Sequence, residues 1–149
     1  RRLGRTAFSA RADALAFGTY NRPFAPNRTR FDWVSRSEEN VDAYMADPLC
    51  NGKATLGLFR DMLGGLGIIT SQRNINRMDK NLPVFFISGD QDPVGEMGRG
   101  VKKACACFRR AGLRDVRCKL YHGLRHEILN EATRQYVYQD VLDWLEAHM

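Results

Sequence analysis

Two short polar segments follow strand-like stretches in the second half of the chain. Residues 88–95 contain Asp92, and residues 121–127 contain His126. An aspartate bound to one ring nitrogen of a histidine fixes the imidazole tautomer and stabilises the imidazolium that forms during proton transfer. The two side chains could therefore serve nucleophilic catalysis as orienting acid and general base. The alternative is that Asp92 is a turn residue before a proline and His126 is a solvated loop histidine.

The elements that would position these side chains alternate between strand and helix. Residues 82–88 are a continuous apolar run, typical of a strand covered on both faces. Residues 97–111 predict a helix ended by Gly112, residues 116–121 alternate like a strand near a sheet edge, and residues 131–148 predict a long helix. This order indicates two parallel strands joined by a right-handed crossover. Parallel strands lie about 4.8 Å apart, so the loops at their carboxyl ends should meet.

Composition divides the chain into residues 1–80 and residues 81–149. The first part is irregular, with a helix predicted from an N-cap at Ser37 or Ser35 to about residue 45. A second helix is predicted over residues 56–69, although its glycines weaken it by about 1 kcal/mol each. In the last helix of the chain, the residues expected to face inward are Tyr138, Val141, Leu142 and Leu145.

The bulk composition is that of a globular domain. Of the 149 residues, 44% are hydrophobic and 27% are charged, and no apolar run reaches membrane-spanning length. The N-terminal residues lack the apolar core of a signal peptide. The net charge of +6 comes from scattered basic residues, so a nucleic-acid partner is not expected. The four cysteines form no C-x-x-C pair, so we expect reduced, mostly buried thiols in a cytoplasmic protein and no metal site.

Several segments together resemble one family of enzymes. Residues 82–95 resemble the acid-bearing strand and loop, residues 119–131 the histidine loop, and residues 137–148 the closing helix of monoacylglycerol lipase and lysophospholipase-like α/β-hydrolases. These enzymes are often grouped as serine aminopeptidase-like hydrolases. Residues 24–36 and 47–50 resemble the lid of the same family.

The resemblance implies a fold class and a set of site residues. The fold would be α/β, with residues 81–149 as the C-terminal part of an α/β-hydrolase sheet and residues 1–80 as a mostly helical lid and return helix. Asp92 would be the triad acid and His126 the general base, in preference to Asp90 and His122. Val94 would correspond to an apolar wall of the substrate pocket. The substrate would be a small ester or lipid, such as an acylglycerol or lysophospholipid, and no cofactor is implied.

The chain departs from the family pattern at the nucleophile. The family serine lies in a G-x-S-x-G turn upstream of the acid and the histidine. No serine of this sequence has a glycine two residues before and two residues after it. The oxyanion-hole loop and the early strands of the sheet are missing as well. We therefore expect an N-terminal half outside these residues, and no activity from these residues alone.

Because the nucleophile and the early strands are missing, a second class of function is also considered. A partial sheet exposes an unpaired strand edge and apolar faces, which favour association with another chain. The alternative function is therefore a non-catalytic interaction module, expected to dimerise. A peripheral contact with a membrane is also left open, and a peptidase ranks below the esterase because no site for a peptide amino terminus is recognisable.

Overall fold

The computed structural model describes residues 4–50 and 52–149. The helices of the first part are α1 (Ala10–Phe17), α2 (Glu38–Ala46), α3 (Leu56–Ile69) and α4 (Gln72–Ile75), with a short 3-10 helix at Arg22–Phe24. The N-caps of α2 and α3 are Ser37 and Thr55, whose hydroxyls accept hydrogen bonds from the backbone N–H groups of Asn40 at 3.2 Å and Leu58 at 3.1 Å. Both helices predicted for this part are thus confirmed, and Ser37 rather than Ser35 is the cap.

The second part contains β1 (Val84–Gly89), α5 (Arg99–Arg110), β2 (Val116–Tyr121) and α6 (Arg134–Glu146). The two strands pair in parallel, with Val84 opposite Val116 and Gly89 opposite Tyr121. The predicted parallel pair is therefore confirmed. The prediction that β1 is covered on both faces is not confirmed. Val84–Ile87 are only partly buried, and the sheet has two strands within the described residues.

Two apolar clusters support the sheet. One cluster comprises Tyr121, Leu124, Ile128 and Val137, with Ile87 packed against it. The other comprises Cys105, Leu113 and Val116, with Phe86 and Phe108 among the side chains packed against it. Burial of such side chains stabilises the fold by about 1.5–3 kcal/mol each. The first cluster includes Tyr121 and Leu124 of the predicted histidine loop, so the position of that loop depends on the core.

The inward face predicted for the last helix is wrong by a rotation of about one residue. Of the four residues predicted to face inward, Val141 is partly buried, but Tyr138, Leu142 and Leu145 are 42%, 47% and 46% exposed, whereas Val137 is 0% exposed. Trp144 also turns inward and stacks on Phe85 with ring centroids 5.7 Å apart. The helix carries apolar residues on two faces, and the tertiary packing selects the face of Val137 and Trp144.

The helix between the strands begins two residues later than predicted. Glu96, Met97 and Gly98 have φ angles of 53°, 55° and 79°, which interrupt the right-handed helix until Arg99. A Cβ on Gly98 would lie 2.5 Å from a methyl carbon of Leu120, so this turn packs tightly against β2. Gly112 ends the helix with a φ of 90°, as predicted.

Other features of the fold bear on the predictions from composition. All four cysteines are free, but Cys105 is buried while Cys50, Cys107 and Cys118 are only partly buried. Within residues 4–50 and 52–149, no helix is long and apolar enough to cross a membrane.

Candidate active site

The acid loop and the histidine loop are held together by backbone contacts. The N–H groups of Asp90 and Gln91 donate to the carbonyls of Tyr121 at 3.1 Å and Leu124 at 3.0 Å. Gly89, the last residue of β1, lies so close to the histidine loop that a Cβ there would be 2.1 Å from the carbonyl oxygen of Leu124. Glycine is therefore required at this position, because any side chain would separate the two loops.

The structure brings Asp92 and His126 into contact. Asp92 is 7% exposed, and its Oδ2 lies 3.1 Å from Nδ1 of His126. Its Oδ1 accepts a hydrogen bond of 2.9 Å from the backbone N–H of Val94, so both carboxylate oxygens are engaged. The hydrogen bond with Asp92 raises the pKa of His126 above its ordinary value, against the opposing effect of burial. With the Nδ1 proton directed at Asp92, the lone pair of Nε2 can accept a proton.

Asp90 and His122, the alternative candidates for the acid and the base, also form a pair. His122 Nδ1 lies 2.9 Å from Asp90 Oδ2, and the other oxygen of Asp90 accepts a 2.7 Å bond from the N–H of Gly123. The side chain of His122 is 97% exposed, compared with 38% for His126. Water screens an ion pair at such a surface, so burial rather than distance distinguishes the two pairs.

A third aspartate–histidine pair lies at the opposite end of β2. Asp115 immediately precedes the strand, and its Oδ2 is 2.7 Å from Nε2 of His148. The hydrogen bond with Asp115 raises the pKa of His148, and the same bond lowers the pKa of Asp115. This pair anchors the end of α6 and is remote from the two loops.

An aromatic side chain from the first part of the chain covers His126. The rings of Trp33 and His126 have centroids 5.1 Å apart, and the ring of Tyr20 lies 5.1 Å from that of Trp33. Burial raises the pKa of Tyr20, and the negative charge of Asp92 raises it further, so Tyr20 also lies within reach of the acid. Phe31, by contrast, packs against Tyr44 at 5.1 Å.

Sequence reasoning missed three residues of this region. No spacing in the sequence connects Tyr20 to Asp92. Arg125 and Glu131 lie near the predicted histidine in sequence, yet nothing in the pattern separates them from ordinary surface charges.

The structure shows the surroundings of Val94 and of a cavity beside β2 without giving them a role in catalysis. Val94 is 46% exposed, and a pocket wall at its side chain remains a prediction. Within the described part of the chain, no group of three or more His, Cys, Asp or Glu residues could hold a metal ion. A cavity of about 530 Å³ beside β2, lined by Phe85, Lys119 and Trp144 among others, includes neither Asp92 nor His126.

Comparison with known proteins identifies the family of the chain. The sequence profile of the family described as serine aminopeptidase, S33, matches residues 3–133. The chain belongs to this family. The chain is also 34% identical over 119 residues to the monoacylglycerol lipase of Mycolicibacterium smegmatis, covering 79% of this chain and 40% of that protein.

Solved structures show the same fold. A highly thermostable carboxyl esterase from Bacillus coagulans, in complex with glycerol, superposes with a TM-score of 0.88 at 24% identity, covering 96% of this chain and 47% of that one. A lipase in an open form gives a TM-score of 0.76 at 26% identity, with 93% and 45% covered. The family resemblance and the α/β-hydrolase fold class are therefore confirmed, and the chain spans less than half the length of these relatives.

Proposed function

We propose that Asp92 and His126 are the acid and the general base of a serine hydrolase that acts on carboxylic esters. The nucleophilic serine would be supplied by residues outside these 149. The observation that carries the proposal is the contact of a buried carboxylate with a partly covered imidazole, at the carboxyl ends of two parallel strands in a family of serine hydrolases.

The geometry supports a double-displacement mechanism. The serine oxygen attacks the ester carbonyl carbon while Nε2 of His126 takes the hydroxyl proton. Asp92 holds Nδ1 and stabilises the imidazolium. When the tetrahedral intermediate collapses, the imidazolium gives its proton to the leaving alcohol. A water molecule, deprotonated by the same nitrogen, then releases the carboxylic acid and regenerates the serine.

The substrate class is inferred from the relatives and the lid. The named relatives are a monoacylglycerol lipase and a carboxyl esterase, which favours an acylglycerol or lysophospholipid ester. Trp33 and Tyr20 provide apolar surface beside His126, suited to an acyl chain. The four free thiols favour a reducing compartment, and we infer a cytoplasmic location.

The test is made on the full-length gene product that contains these residues. Hydrolysis of a short-chain nitrophenyl ester and of a monoacylglycerol is measured for His126→Ala, with His122→Ala as the matched control. His126→Ala should abolish turnover, whereas His122→Ala should retain it because that ring is solvated. Retained turnover in His126→Ala, or its loss only in His122→Ala, would refute the assignment.

An interaction module is the second candidate, and α3 favours it. Leu58, Leu63, Ile68 and Ile69 on this helix are 57%, 63%, 64% and 64% exposed. Such apolar surface is suited to a second copy of the chain or to a peripheral membrane contact. Sedimentation of the 149-residue chain measures self-association, and a serine-directed phosphonate applied to the full-length product measures hydrolase identity. A dimer, together with a full-length product that is neither labelled nor active, would replace the hydrolase proposal by this one.

A further inference from the structure

We propose that Glu131 and Arg125 are positioning residues that fix His126 by tying its loop to residues 32–36 of the lid. This inference rests on the proposed role of His126 as general base. Residues 32–36 are called the lid strap below.

Glu131 is a buried carboxylate that connects two distant backbone segments. Its side chain is 2% exposed and is the largest of the fully buried side chains among the described residues. Its Oε1 accepts hydrogen bonds from the backbone N–H of Arg36 at 3.0 Å and from the backbone N–H of Arg125 at 3.3 Å. Burying a carboxylate is unfavourable unless its hydrogen bonds are made, so this connection is specific. One atom thus joins the lid strap to the residue before His126.

Arg125 makes a second connection with its side chain. Its Nη1 donates to the carbonyl of Asp32 and, at 3.1 Å, to the carbonyl of Ser35. The guanidinium also lies over the ring of Phe24, with 4.0 Å from Cζ to the centroid. The planar guanidinium reaches two carbonyls and an aromatic face at once, and a lysine ammonium, with a different shape and reach, is not expected to keep all three contacts.

The residue after His126 is attached to the same strap. The backbone N–H of Glu127 donates to the carbonyl of Val34 at 2.8 Å. Both neighbours of the histidine are therefore bonded to the lid strap, and Trp33 of the strap lies against the imidazole. The strap is itself packed into the protein, because Val34 and Ser35 are each 1% exposed. The position of the imidazole relative to Asp92 is consequently set by the strap as well as by β2.

We expect that loss of the hydrogen bonds made by either Glu131 or Arg125 displaces the imidazole of His126 from Asp92. Glu131→Ala removes the acceptor of both N–H groups, whereas Glu131→Gln keeps an oxygen at the same place. Arg125→Lys keeps the charge and removes the planar fork. Leu113→Ala is the matched control, since it opens a cavity in the cluster of α5 and touches neither the strap nor the histidine loop.

The first measurement is NMR of the imidazole nitrogens of His126 in the 149-residue chain, titrated from pH 5 to pH 9. Glu131→Ala and Arg125→Lys should lower the pKa of His126 towards its ordinary value, because the hydrogen bond with Asp92 weakens. Glu131→Gln and Leu113→Ala should titrate like the parent chain. An unchanged titration in both Glu131→Ala and Arg125→Lys, or an equal change in Leu113→Ala, would overturn the proposal.

The second measurement is ester turnover by the full-length product. A displacement of the base by about 1 Å is expected to lower kcat by about 10- to 100-fold in Glu131→Ala, with KM within about twofold of the parent value. Glu131→Gln should restore most of kcat. Retained turnover in His126→Ala would refute the proposed function. The NMR titrations decide separately whether Glu131 and Arg125 hold His126 in position.

Discussion

The effect on turnover of removing the negative charge of Asp92 can be calculated from the structure. Asp92→Asn keeps the shape of the side chain but removes the carboxylate that faces the imidazolium in the transition state. For unit charges separated by the 3.1 Å between Asp92 Oδ2 and His126 Nδ1, an effective dielectric constant of about 20 gives about 5 kcal/mol. The His126 side chain is 38% exposed, so screening by water reduces this to about 3–5 kcal/mol. At about 1.4 kcal/mol per tenfold change in rate, kcat should fall by about 10²- to 10⁴-fold.

The assay is the pH dependence of ester hydrolysis by the full-length product, with Asp90→Asn as the matched control. The base must be neutral to act, and Asp92 raises the pKa of His126. The acid limb of kcat/KM should therefore move to lower pH in Asp92→Asn, while its plateau falls. Asp90→Asn should stay within about threefold of the parent, because its histidine partner is solvated. Equal losses in the two variants would refute the argument that burial selects the working pair.

Three further predictions concern the fold and can be tested on the 149-residue chain. Val137→Ala should lower the free energy of unfolding by about 2 kcal/mol in urea titrations, whereas Leu142→Ala should change it by less than about 0.5 kcal/mol. Gly89→Ala should prevent stable folding as judged by circular dichroism, whereas Gly64→Ala, with open space around its Cβ, should stabilise α3 by about 1 kcal/mol. The raised pKa of His148 means that its stabilisation is present below about pH 6.5 and is lost as the pH rises through that raised value. His148→Gln should therefore show a smaller decline in urea midpoint between pH 6 and pH 9 than the parent.

The regular elements were predictable where one local pattern dominated. The alternation over residues 116–121 matches β2 residue for residue, and the Ser37 cap and Gly112 mark the start of α2 and the end of α5 because they act locally on the helix ends. The pattern failed at α6, where apolar residues occupy two faces and packing on Phe85 selects one of them. It also failed at Glu96 and Met97, since positive φ angles at non-glycine residues are imposed by the surrounding structure.

The candidate site was predictable in its residues but not in its environment. Parallel strands bring their carboxyl ends together, so the contact of the two loops followed from the element order. The preference for His126 over His122 came from the family resemblance and not from this order, and the two rings differ in their coverage by Trp33, almost a hundred residues away from His126 in sequence. Tyr20, Arg125 and Glu131 were missed. Their partners lie in a segment with no regular structure, where periodicity carries no information.

Each of the three histidines pairs with an aspartate, so pairing alone does not identify a catalytic base. The side chain of His122 is almost fully exposed, and His148 is paired at the opposite end of β2. His126 differs in having a buried acid on one side and a lid aromatic on the other. Because Trp33 belongs to residues 32–36, which are hydrogen-bonded to Glu131 and Arg125, the environment of His126 depends on this segment as much as on the sheet. A substitution that loosens the strap should therefore affect proton transfer even where it leaves the strand pair intact.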